Sequence, residues 1–64
     1  MPASDFAAWL AAMKIQRGWS AQEAARQLGC GRNMVTIWAR EAAPLYIGLA
    51  CAALAANLPV WSAP

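Results

Sequence analysis

Apolar residues recur along this chain at helical spacing, and no stretch alternates apolar and polar with the period of two that a strand requires. Phe6, Leu10 and Met13 fall at i, i+4 and i+7, with Trp9 beside the same stripe. Ser4 or Asp5 is placed to cap this first helix, with Pro2 outside it. Lys14 and Arg17 occupy its last turn, where positive charge opposes the helix dipole, and Gly18 is a left-handed C-cap candidate. The pattern predicts a helix over about 5–17.

A second helix is expected over about 20–28. Ser20-Ala21-Gln22-Glu23 reads as a capping box, in which the Ser20 hydroxyl meets the Glu23 amide and the Glu23 carboxylate reaches back. Trp19 precedes the cap as a hydrophobic staple, Ala24, Ala25 and Leu28 form the inner face, and Gly29 stops the helix. Gly29-Cys30-Gly31 is a short turn. A third helix follows over about 32–41, with Val35 and Trp38 facing inward. Arg32, Asn33, Thr36, Ile37 and Arg40 lie on its other sides.

Pro44 is expected at the first position of a fourth helix, where its missing N–H costs nothing, and Pro59 ends it, giving about 44–57. Ile47, Cys51, Leu54 and Leu58 mark one face and Leu45, Leu49 and Ala52 another. A helix apolar nearly all round points to burial on more than one side. The tail 59–64 has no helical signal. It carries Trp61, placed either to fold back on the core or to dock on a second chain.

Composition agrees with an all-α fold. Of the 64 residues 61% are hydrophobic, but 17 are Ala, the best helix former, and β-branched residues are few. One small core is affordable, and a chain this short is marginal alone and gains from oligomerising. The expected architecture is a single compact four-helix domain, residues 1–58, with a short irregular tail.

Charge and reactive groups narrow the function. The net charge is +2, there is no His, and every charge lies before residue 42. A His-based acid–base pair, a Ser–His dyad and a His metal site are excluded. Cys30 and Cys51 form no CxxC pair, so no zinc site is expected, and each reads as a small buried hydrophobe with a free thiol. Asp5, Glu23 and Glu41 have capping or surface roles available, and a domain this small lacks room for a typical active-site pocket. No enzyme activity and no cofactor are expected. The uncharged stretch 42–64 does not predict a membrane span. Pro44 and Pro59 confine its helix to roughly 21 Å at 1.5 Å per residue, against a hydrocarbon core of ~30 Å. No basic n-region precedes an apolar run, so a cytoplasmic location is expected.

Ala25, Gly29, Val35 and Trp38 have the spacing that a helix-turn-helix needs. A small residue lets the helices cross closely, a glycine supplies the positive φ of the turn, and two apolar residues pin the second helix to the core. Here the sequence resembles the Cro/lambda-repressor-like (XRE-type) helix-turn-helix regulators of phages and bacteria. Trp19-Ser20-Ala21-Gln22-Glu23-Ala24-Ala25-Arg26-Gln27-Leu28-Gly29 and Gly31-Arg32-Asn33-Met34-Val35-Thr36-Ile37-Trp38 carry the resemblance. Pro44-Leu45-Tyr46-Ile47, Leu49-Ala50 and Ala53-Leu54 match the last core helix of many members.

The resemblance implies a DNA-binding transcriptional regulator associated with the nucleoid. Double-stranded DNA would be its partner, with helix 32–41 in the major groove. It implicates Arg32, Asn33, Thr36 and Ile37 in base reading. Arg pairs bidentately with guanine O6/N7 and Asn with adenine N6/N7, Thr donates or accepts, and Ile meets a thymine methyl. Ser20 and Gln22 stand where members hold phosphate, with Lys14, Arg17 and Arg40 as flanking phosphate contacts. Gly31 departs from the usual Ser or Thr cap and weakens it by a few tenths of a kcal/mol. Ala21 stands where members often have a phosphate-binding Gln, and Ile37 replaces a commonly polar reader. Leu45, Leu49, Ala52 and Trp61 are the expected interface to a homodimer partner or a different regulatory chain. The competing expectation is a protein-interaction subunit, in which helix 44–57 binds another regulator or a polymerase component.

Overall fold

The computed structural model describes residues 1–64 as four helices with no strand: α1 (Ala3–Arg17), α2 (Ala21–Leu28), α3 (Arg32–Arg40) and α4 (Leu45–Ala55). The compact all-α architecture expected from the sequence is therefore present. α1 packs on α2, α3 and α4, and α2 packs on α3 and α4. Phe6, Trp9, Met13, Ala24, Ala25, Val35, Trp38, Ala43, Ile47 and Cys51 form one buried core that contains no polar side chain. Three aromatic contacts organise it. Phe6 lies 5.8 Å from both Trp9 and Trp38, edge-on to the latter, and Trp9 meets Trp19 edge-on at 6.4 Å. Such tilted and edge contacts suit the ring quadrupoles.

The helix boundaries follow local chemistry. Gly18 and Gly29 close α1 and α2 at φ +69° and +76°, a left-handed conformation that a Cβ would penalise. After α2 the Cys30 amide donates to Ala25 O and the Gly29 amide to Arg26 O, so the last turn's carbonyls are satisfied. The Ser20 hydroxyl accepts from the Glu23 amide at 3.2 Å, as the capping box requires. The reciprocal half is absent. Glu23 Oε2 instead accepts from Arg26 Nε and Gln27 Nε2, at 2.9 and 3.0 Å. A charged guanidinium one turn on is the stronger partner for a carboxylate.

Several boundaries differ from expectation, and α3 ends at Arg40 rather than Glu41. α1 starts at Ala3 with Pro2 in the cap position, its carbonyl accepting from the Phe6 amide, and neither Ser4 nor Asp5 caps it. Pro44 is likewise the residue before α4 rather than its first turn, with an extended ψ of 162°. Proline's fixed φ fits either position. At the other end α4 stops at Ala55, because Asn57 turns left-handed at φ 60°. The Asn57 and Leu58 amides then donate to Leu54 O and Ala53 O, a Schellman-type closure with Asn in glycine's usual place.

The rotation of α4 is not set by its own sequence, which has almost no apolar asymmetry. Tertiary ties set it. The buried Trp9 Nε1–H donates to Cys51 O at 3.0 Å. Arg17 Nη2 donates to Ala55 O at 3.3 Å, satisfying a carbonyl at the end of α4. The Met1 amino group donates to Ala43 O and the Ala43 amide donates back to Met1 O. This bridge pins the connection from α3 to α4, where Ala42 holds a positive φ of 143°. The Met1 side chain lies beside Gly48, where an added Cβ would stand 3.4 Å from Met1 Cβ, an ordinary van der Waals contact. Ile47 and Cys51 therefore face inward and Leu54 is half-buried, whereas Leu58, expected on that face, lies exposed beyond the helix end. The expectation that α4 is buried on more than one side is not met within the chain. Leu45, Tyr46 and Leu49 are 75%, 67% and 63% exposed.

Candidate functional site

The exposed face of α3 follows from which of its residues are buried. Val35 and Trp38 point into the core, which leaves Arg32, Asn33, Thr36 and Arg40 exposed. Arg32 makes no ion pair, since the chain's two ion pairs join Arg26 to Glu23 and Arg40 to Glu41. The second is loose, at 4.0 Å between two exposed side chains. At that distance and exposure it contributes little and leaves Arg40 free to turn elsewhere.

Ile37 sits differently from its expected place among these groups. It is half-buried and packs against the core cluster, so it presents only part of its side chain outward. Burial of an aliphatic side chain is favourable wherever a neighbouring core offers contact. Met34, which sequence reasoning left out, is exposed on the first turn of α3. Its position beside Asn33 was the available signal.

The start of α2 supplies hydrogen-bond donors. The Ala21 and Gln22 amides have no acceptor within the chain, and the Gln22 side chain is exposed. Arg32 and Asn33 at the start of α3 have free amides too, and Gly31 offers no side-chain cap. Unsatisfied first-turn amides and the positive end of the helix dipole attract anions. Across from α2, Lys14 is exposed, makes no ion pair, and lines the same cleft as Ser20. Ser20 and Lys14 are thus brought together.

Arg17 is not brought to this group. Its guanidinium lies 5.2 Å from the centre of the Trp19 ring and donates to Ala55 O. Two existing partners hold it, so it ties α1 to α4 rather than standing free as a phosphate ligand. Arg26 is also engaged. Hydrogen bonds from Arg26 and Gln27 hold the Glu23 carboxyl below its usual range, so Glu23 stays ionised.

The expected interface residues Leu45, Leu49 and Ala52 all lie exposed on α4, spaced by four and three so that they form one stripe. Trp61 is 83% exposed in the tail and does not fold back on the core. Cys51 is fully buried and Cys30 half-buried, and both are free thiols. Burial, with the Cys30 thiol nearby, pushes the Cys51 thiol up to about 11, and burial raises Cys30 as well. Neither has the depressed value of a reactive thiol. No group of three or more Cys, Asp or Glu is placed to hold a metal ion. No helix is long and apolar enough to cross a membrane. No family model, curated protein or solved structure matches the chain.

Proposed function

We propose that this protein is a DNA-binding transcriptional regulator that places α3 in the major groove of double-stranded DNA. The observation that carries the reading is the exposed, unpaired face of α3. Arg32, Asn33 and Thr36 stand clear of the core there, on a helix joined to α2 by the three residues Gly29–Gly31. In this reading α2 and α3 form a helix-turn-helix. Arg32 and Asn33 have the donor and acceptor sets for guanine and adenine edges, and Thr36 adds a further polar contact. Ile37, half-buried, contributes its exposed edge to a thymine methyl. Ser20, Gln22 and the free first-turn amides of α2 hold a phosphate, with Lys14 beside them and Arg40 on a flanking one.

A single module this small gives limited affinity, and a second copy would supply both strength and register. The exposed stripe Leu45–Leu49–Ala52 on α4, with Trp61, is the surface for that partner. Two half-sites ~34 Å apart on one face of the duplex follow from a two-fold arrangement of this kind. The protein would then act at the nucleoid, with no cofactor and no catalytic step.

The test is selection of bound sequences from a random duplex pool, followed by variants. Arg32→Ala should lose about 1–3 kcal/mol of discrimination at one base pair while leaving the others selected. Lys14→Ala should weaken all sequences alike and lower the salt slope by about 1. If both variants bind every sequence as the parent does, the docking scheme is wrong.

A second reading is favoured by one specific observation, the large apolar side chains left exposed on α4. In that reading the domain is a protein-interaction subunit, and α4 binds another regulator or a polymerase component. Binding that is sensitive at Leu45, Leu49 and Trp61 and insensitive at Arg32 and Asn33 would select it.

A further inference from the structure

An open cleft of about 210 Å³ lies between the second half of α1 and the start of α2, and it is the only one on the molecule. It is lined by Leu10, Ala11, Trp19 and Ala21 and by the polar residues Lys14 and Ser20. None of these six residues is acidic. The Lys14 ammonium has no ion-pair partner. The Ser20 oxygen already accepts from the Glu23 amide, so its hydroxyl proton is left to donate. Ala21 lines the cleft too, and its amide has no acceptor within the chain.

This combination is selective. A bare phosphate would use the cation and the donors but leave the apolar wall against water. A neutral hydrocarbon would cover the wall and leave the ammonium unpaired. Pockets for drug-sized ligands run to ~300–1,000 Å³, so a cleft of this size takes one ring rather than a fused-ring cofactor. We propose that the cleft is a binding site for a small carboxylate with a flat apolar body, of the arylacetate class. The ring lies against Trp19, Leu10 and Ala21, and the carboxylate meets Lys14 and the Ser20 end of α2. The assignment does not depend on DNA binding, although the two would compete for Lys14 and Ser20 if both occur.

The test is a titration of the isotope-labelled full chain with phenylacetate at constant ionic strength, followed by amide and indole chemical shifts. Phenylacetamide, of the same shape without the charge, is the control. A ligand of this size should saturate with a Kd on the order of 1–10 mM. Shifts should cluster at Leu10, Lys14, Trp19 and Ala21. Phenylacetamide, and phenylacetate with Lys14→Met, should each bind at least about fivefold more weakly, as loss of a charge-assisted contact implies. Ala11→Phe fills the cleft from an exposed position and should abolish the shifts with the helical circular-dichroism signal unchanged. Shifts that do not saturate, that spread to α4 or the tail, or that are equal for acid and amide would overturn the proposal.

Discussion

Replacing Trp9 by Phe removes one hydrogen bond and part of one ring from the place where α1 meets α4. The indole N–H donates to Cys51 O at 3.0 Å in a buried setting. A net contribution of about 1 kcal/mol is typical of such a bond. The smaller ring vacates roughly 35–40 Å³, and at about 24 cal/mol per Å³ of residual cavity this adds ~0.9 kcal/mol. The edge contact with Trp19 at 6.4 Å is weakened as well. The sum is about 2 kcal/mol, out of ~3–10 kcal/mol expected for a domain of this length. At ~4–8 °C per kcal/mol the midpoint should fall by roughly 10–15 °C. Thermal and urea unfolding followed by circular dichroism measure it directly. Hydrogen exchange supplies a second readout, because the Trp9 indole proton should be protected while that of exposed Trp61 is not. A midpoint within about 3 °C of the parent, or a Trp9 indole proton exchanging as fast as Trp61, would refute the reasoning that this bond orients α4.

The other outcomes are independent of that one. Gly29→Ala should destabilise by about 1–2 kcal/mol in urea unfolding, because the site is open but its φ of +76° is left-handed. Gly31→Ser should stabilise by a few tenths of a kcal/mol, since Gly31 has the extended backbone of a cap and nothing within 4 Å of an added Cβ. A thiol reagent at pH 8 should label Cys30 slowly and Cys51 only after urea is added, as Cys51 is buried and its thiol is raised to about 11. The same shift fixes a pH dependence. The folded state holds the proton more tightly than the unfolded one, so this contribution is intact below about pH 9. It is lost as pH rises towards 11, and Cys51→Ala should flatten the decline of the unfolding midpoint across that window.

The sequence was readable where local chemistry decides the outcome. Ser20 announced its cap and Gly18 and Gly29 their left-handed turns, because each motif is complete within a few residues. The inner faces of α2 and α3 followed from apolar spacing, because most of the other positions in those helices are polar. α4 gave no such contrast. Every face is apolar, so which one turns inward depends on Trp9, Arg17 and Met1, partners 38–42 residues distant along the chain. No local window contains that information. Arg17 illustrates the same limit in the candidate site. Its charge and helix-end position suited a phosphate contact equally well, and only the arrival of Trp19 and the end of α4 removed it. The half-burial of Ile37 was hidden for a related reason, since the period of α3 alone does not reveal which neighbour covers its flank.

The central claim is that α3 and the start of α2 face DNA, and chemical-shift perturbation tests it most directly. The labelled protein would be titrated with mixed-sequence duplex DNA at low salt and again at higher salt. Shifts should cluster on Ser20–Glu23 and on Arg32, Asn33 and Thr36, and should fade as salt rises, because phosphate binding releases counterions. An absence of shifts at those residues under low salt would contradict the account and leave the apolar stripe of α4 as the functional surface.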